Sequence, residues 1–309
     1  MAEIFPFKYS ESFPDRTLAR IPEKLKINGR SDSKLLLILR LLSGSIILEH
    51  KSSSEKITQK SNYFSADLKA YSQYWDSKFP KLIAEEYTAQ QLSTFLESTN
   101  PTNRKFYNNI LSELSYFFYY QNKGVHSTAF VFLYRALEHV SYAFPLIYVS
   151  KANDFSKTYR FLKDLMSGDK SAGELGFFKS FIKTIYESDS IYESSVDFHM
   201  LLETESEQSK MFNLLESLCK ENMIADSTDK PRILSIKYPE VGSLLITIRN
   251  RFFHFMNGGA RNIESSTIGD IDLLFSLVNN NFLYWLSTIL LAVVSHNALD
   301  FESTKSRIA

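Results

Sequence analysis

Apolar residues recur along this chain mainly at helical spacing, separated by short polar stretches. Residues 31–50, "SDSKLLLILRLLSGSIILEH", open on good N-cap residues and continue as a Leu-rich helix, with strand allowed after Gly44. Residues 50–61 are polar and read as a loop. Residues 65–79 and 88–98 read as amphipathic helices, each opened by a Ser or Thr cap. "STNPTN" (98–103) has the composition of a linker. Residues 103–124 predict a long helix ending at Gly124. Residues 127–149 are apolar nearly all round, which predicts a central helix that Pro145 kinks or ends. Residues 150–238 are more polar, with shorter helices and a loop at 227–232. A further apolar helix over 244–259 stops at a Gly pair, and a last long one covers 271–296. Residues 1–30 are irregular, punctuated by Pro6, Pro14, Pro22 and Gly29. The chain contains no internal repeat and no low-complexity segment.

This pattern predicts a mostly α protein with a mixed or helical N-terminal region over 1–100. A helical domain follows over 101–300, interrupted by a helical insertion at about 150–238, with a tail at 301–309. Ten glycines and eight prolines in 309 residues are few breakers, which agrees with helix. The 25 Phe and 17 Tyr are enough for a large core. Formal net charge is zero, so any contact with nucleic acid must be local rather than a global field effect. The single Cys219 excludes an intrachain disulfide and fits a reducing cytoplasm. The opening residues carry acidic groups and prolines where a leader would be basic and then apolar. The longest apolar run, 282–294, is short for a bilayer and predicts a buried core helix with no membrane partner.

Most candidate motifs carry little. "GDKS" (168–171) resembles the tail of a phosphate loop but lacks its upstream Gly and its strand. His199 and Glu203 are spaced to share a helix face, without the further ligand a metal would need. Cys219 has no His near it in sequence and reads as a structural thiol. The aromatic run "YFFYY" (116–120) could stack bases, but consecutive rings on a helix point in several directions, so most belong to the core. Neither a metal nor a cofactor is expected.

The stretch "LLITIRNRFFHFMNGG" (244–259) is different. Arg249, Asn250, Arg251 and His254 interrupt an apolar helix, at a cost that burial would make large. The residue types suit metal-free cleavage of RNA. Histidine titrates near neutrality and serves as acid or base. Arginine grips two phosphate oxygens and stays charged. Asparagine positions either by hydrogen bonding. At about 100° per residue, Asn250 and His254 share a helix face and Arg251 is adjacent to it. Arg249 lies about 140° round and joins by bending, by distortion, or from a neighbouring chain.

"RNRFFH" (249–254) resembles the R-x4–6-H signature of the HEPN superfamily, the higher eukaryote and prokaryote nucleotide-binding domains, in which a polar residue such as Asn250 often follows the Arg. The apolar helix before it, the glycines after it and the long closing helix are also similar. "LYRALEHVSYAF" (133–144) looks like that family's central helix, which carries an acidic residue near the motif, here Glu138. The resemblance spans about 101–300 and implies a helical bundle. It also implies a homodimer that brings two motifs into one composite site. The implied activity is that of a metal-independent endoribonuclease, attacking through the 2′-hydroxyl to leave a 2′,3′-cyclic phosphate on tRNA or mRNA. The implied setting is a toxin or anti-phage effector. Arg249, Asn250 and His254 would be catalytic, with Glu138 and Arg251 supporting. Residues 1–100 and 150–238 would serve a trigger or a regulatory partner protein. The competing reading is a non-catalytic α-helical module of the same type, an antitoxin or complex subunit. Phosphoryl transfer is disfavoured, because paired carboxylates for metal and a phosphate loop are both missing from the sequence.

Overall fold

A computed structural model describes residues 5–29, 32–65, 74–99, 101, 103–141, 143–150, 154–167, 182, 190–253 and 262–308. Among these the protein is mostly helical, with two three-stranded antiparallel sheets. The chain forms two compact units, residues 1–139 with 286–309, and residues 140–285.

In the first unit β1 (Phe7–Glu11), β2 (Ile46–His50) and β3 (Lys56–Gln59) pair in the order β1-β2-β3. The period of two buries Phe7 and Tyr9, Ile46 and Leu48, and Ile57 and Gln59. Tyr9 faces Leu48, which faces Ile57 in turn. The expected loop at 50–61 therefore contains a strand. Its four residues are too few to register as alternation, and β2 supplies the pairing. Buried Gln59 is satisfied through its amide, which donates to the carbonyls of Leu41 and Ser61 at 3.0 Å each.

Helix α1 (Lys34–Leu42) buries every residue after Lys34, Arg40 included. It stops at Leu42, short of the helix expected over 31–50, and the strand allowed after Gly44 forms. Gly44 takes φ +70°, its N–H reaches Leu41 O, and Ser45 N–H reaches Arg40 O at 3.0 Å, closing a Schellman cap that feeds β2. A Cβ on Gly44 would meet the Lys60 backbone at 2.4 Å. Gly44→Ala is expected to cost about 2–5 kcal/mol, from left-handed backbone strain plus overpacking. Urea unfolding checks this, and a loss under about 1 kcal/mol would mean that the Lys60 strand end yields.

Helix α2 (Ala89–Thr99) opens with Thr88, whose Oγ1 accepts from Gln91 N–H at 3.2 Å while Gln91 Oε1 accepts from Thr88 N–H at 3.0 Å, a capping box. Of the expected helix at 65–79, residues 66–73 lie outside the described residues, and Trp75–Lys78 forms a helical turn. Helix α3 (Arg104–Asn122) packs along α1, so segments that the sequence pattern assigned to separate regions belong to one unit. Tyr9 Oη and Ser115 Oγ, 2.6 Å apart, tie the sheet to α3, and burial pushes the Tyr9 phenol well above its usual range. Gly124, at φ +72°, ends α3 with a second Schellman pattern, and α4 (His126–Ser141) follows.

Pro145 does not end the expected helix 127–149. Helix α5 (Ala143–Ser150) includes Pro145 and runs five residues past it.

In the second unit α6 (Phe155–Ser167) precedes a sheet in which β6 (Arg232–Lys237) lies between β4 (Ser195–His199) and β5 (Ile224–Asp229). The insertion is thus not wholly helical, and the expected loop at 227–232 is the end of β5, a turn and the start of β6. His199 ends a strand and Glu203 lies in a bend, so they share no helix face. Helix α7 (Glu205–Leu218) starts on Thr204, whose Oγ1 accepts from Glu207 N–H at 3.2 Å. Helix α8 (Val241–Phe253) and residues 271–285 of α9 (Ile271–Ile308) complete this unit, and residues 286–308 of α9 belong to the other. The expected tail after residue 300 continues α9 to Ile308. Helix α9 is long and apolar enough to cross a bilayer by length and composition, and more than half of its most apolar stretch is buried within the protein. That burial is how a core helix behaves.

Candidate functional site

Helix α8 is held by its apolar face. Val241, Leu244, Leu245 and Ile248 are fully buried. Gly242 lets the backbone approach the Trp285 indole so closely that a Cβ would lie 2.6 Å from it, and Trp285 Nε1 donates to Tyr238 O at 3.0 Å. Phe252 packs edge-on against Phe275 with ring centres 5.1 Å apart. These contacts fix the rotation of the last turn.

That turn carries the motif. Arg249, Asn250 and Arg251 are all half-buried. Arg249 Nη1 donates to Asn250 Oδ1 at 2.8 Å. The long arginine side chain bends round the helix to its neighbour, which closes part of the 140° separation that the wheel predicts. The chain returns after 254–261 with Ile263 N–H donating to Arg251 O at 2.9 Å. His254 lies outside the described residues, so its adjacency to Asn250 and Arg251 stays an expectation from spacing. Glu138 stands on α4 in the first unit, whereas Arg249, Asn250 and Arg251 belong to the second. Within its own unit Glu138 acts electrostatically on Arg135.

The remaining sequence candidates resolve as follows. Cys219 Sγ donates to Leu215 O at 3.3 Å, and burial, with Glu216 nearby, pushes the thiol up to about 12. It is an unreactive structural thiol at neutral pH. "GDKS" at 168–171 lies outside the described residues. In "YFFYY", Phe117, Phe118 and Tyr119 are buried, while Tyr116 and Tyr120, one turn apart, are half-buried on one face. Among the described residues no group of three or more His, Cys, Asp or Glu gathers as a metal site.

One constellation escaped the sequence reading. Glu113 on α3 takes paired hydrogen bonds from Arg135 on α4, and His139 lies beside it. Arg135 and His139 stand four apart inside "RALEH", a spacing that is legible, but their carboxylate partner comes from the preceding helix, which only folding brings near. Comparison of the chain with protein-family profiles, with curated proteins and with solved structures finds no match.

Proposed function

We propose that this protein is a HEPN-type, metal-independent endoribonuclease that works as a homodimer, in a toxin or anti-phage role. The observation that carries the reading is the arginine–asparagine pair on α8, 2.8 Å apart and half-buried, a few residues before His254 in sequence. The amide oxygen helps to orient the guanidinium, whose planar donors match phosphate oxygens.

In the proposed reaction the 2′-hydroxyl of a ribose attacks the adjacent phosphorus and the bond to the 5′-oxygen breaks. The 2′-proton is taken up by a base, and the 5′-oxygen leaves with a proton from an acid. His254 supplies one of these transfers and its counterpart in the second protomer supplies the other. Arg249 neutralises the phosphorane, Asn250 holds Arg249, and Arg251 is a nearby phosphate contact. Glu138 is the supporting acidic residue. The products are a 2′,3′-cyclic phosphate and a 5′-hydroxyl end.

The test is incubation of purified full-length protein with tRNA and mRNA in the presence of EDTA, followed by analysis of the new ends. Cyclic phosphate and 5′-hydroxyl ends are expected. A 3′-hydroxyl end, or activity that EDTA abolishes, would overturn the mechanism.

A further inference from the structure

The seam between α3 and α4, within the first unit, carries chemistry that the α8 site does not use. Glu113 is buried, its side chain 8% exposed, yet Arg135, which it holds, is 55% exposed. The pairing is fork to fork, Nε to Oε2 and Nη2 to Oε1, each 2.9 Å. An ordinary surface ion pair leaves both partners in water and loosely placed. Here a buried carboxylate grips the guanidinium from beneath and turns its outer edge to solvent. Among the described residues, Arg135 Nη1 makes no hydrogen bond. His139, one turn further along α4 and part-exposed, places Nε2 3.9 Å from the same carboxylate. Next along the seam come three half-buried rings. Phe132 stacks on Tyr116 with centres 4.9 Å apart at 20°, and on Tyr120 at 5.5 Å and 6°. Phe132, Arg135 and His139 share one face of α4, and Glu113, Tyr116 and Tyr120 share the facing stripe of α3.

From this arrangement we infer that the α3–α4 seam binds a nucleoside phosphate, with the phosphate on the outer edge of Arg135 and on His139 and the base against Tyr116, Tyr120 and Phe132. A guanidinium already held in place loses little rotamer freedom on binding, and its planar edge matches phosphate oxygens. Aromatic surfaces accept any base, because every base has a flat face. Glu113 and Glu138 balance the Arg135 charge, so contact rather than long-range attraction supplies the affinity. Salt dependence is accordingly shallow, a log–log slope of about −0.7 for one phosphate of a single strand. The inference goes beyond the nuclease proposal and does not require α8 to be catalytic.

The test uses the full chain and two probes, uridine 3′-monophosphate and a single-stranded ten-nucleotide RNA carrying 2′-O-methyl groups, which the proposed cleavage reaction cannot cut. Calorimetry and fluorescence anisotropy should show binding. Arg135→Lys leaves Glu113 a cation but removes the fork, and should weaken binding about tenfold at an unchanged unfolding midpoint. Tyr116→Leu and Tyr120→Leu should each weaken it about tenfold. Tighter binding of the strand than of the mononucleotide identifies a strand as the occupant, and the reverse identifies a free nucleotide. Wild-type protein that binds neither probe would overturn the inference, as would folded variants that bind as tightly as wild type. A wild-type chain that binds the probes but leaves RNA uncut would defeat the nuclease proposal and leave this site standing.

Discussion

Under the proposed mechanism His254→Ala is expected to lower RNA cleavage by about 10²–10⁴-fold, the ordinary contribution of a positioned acid or base, while the unfolding midpoint and the oligomeric state stay as they are. The reasoning is chemical. A 2′-hydroxyl is a poor nucleophile at neutral pH, and the departing 5′-oxygen needs a proton, so in the proposed dimer one imidazole in each protomer would affect both ends of the reaction. Arg249→Lys separates the roles. It keeps the charge but loses the planar donor edge and the hydrogen bond to Asn250 Oδ1. Cleavage should fall less than with His254→Ala and retain its pH profile, whereas replacement of the histidine should flatten that profile. Initial rates across pH, paired with sedimentation and thermal melts, decide the matter. Equal losses of folding and cleavage in the His254 variant would assign the imidazole to structure. Wild-type RNA left intact, with partner-protein affinity that depends on Arg249, would select the non-catalytic helical module.

The second large effect is one of stability. Arg40→Ala should cost the first unit about 3–5 kcal/mol. The guanidinium is fully buried, and each of its three nitrogens donates a hydrogen bond. Its Nε donates to Ser45 O at 2.9 Å and to Ser45 Oγ at 3.0 Å, its Nη1 to Leu25 O at 3.1 Å, and its Nη2 to Glu11 Oε1. The Phe13 ring lies 3.7 Å beneath it. Burial pulls the Arg40 pKa down and Glu11 opposes that pull. Glu11 also accepts from the backbone N–H groups of Phe13 at 2.9 Å and Ile27 at 3.3 Å, so this one ion pair gathers β1, α1 and the irregular segment between them. Alanine would leave a carboxylate without its counter-charge and two carbonyls without donors. The double variant Glu11→Gln with Arg40→Met should be less damaged than Arg40→Ala alone, because it removes the uncompensated charge. Urea unfolding of the three proteins checks the ordering. If the double variant is the worst of the three, the cost lies in packing rather than in charge.

Legibility followed the range of the interactions involved. The helices at 34–42, 89–99 and 104–122 could be read because their caps and stops are local: Thr88 with Gln91, and a glycine in the left-handed region at 44 and again at 124. Strand β3 and the sheet around β6 could not. Strand β5 is mostly exposed, with the polar sequence "IADSTD", and is a strand because β6 lies beside it. Pro145 misled for a related reason. A proline removes one backbone donor and disfavours continuation, but it does not by itself end a helix, and α5 continues through it to Ser150. Within the α8 site the composition was legible, and the Arg249–Asn250 contact was not, because a wheel shows where side chains start and not where a long one bends.

By itself, then, the amino-acid sequence determined that the chain is mostly helical, that the helix over 104–122 stops at Gly124, and that Arg249, Asn250, Arg251 and His254 lie within six residues of one late helical segment. These follow from backbone sterics and from spacing along a single segment. Tertiary structure alone decided which strands exist and how 1–139 joins with 286–309. It also decided that Glu113 meets Arg135 across a helical hairpin. Those outcomes depend on groups far apart in the chain, whose pairing becomes favourable only once the core between them has excluded water.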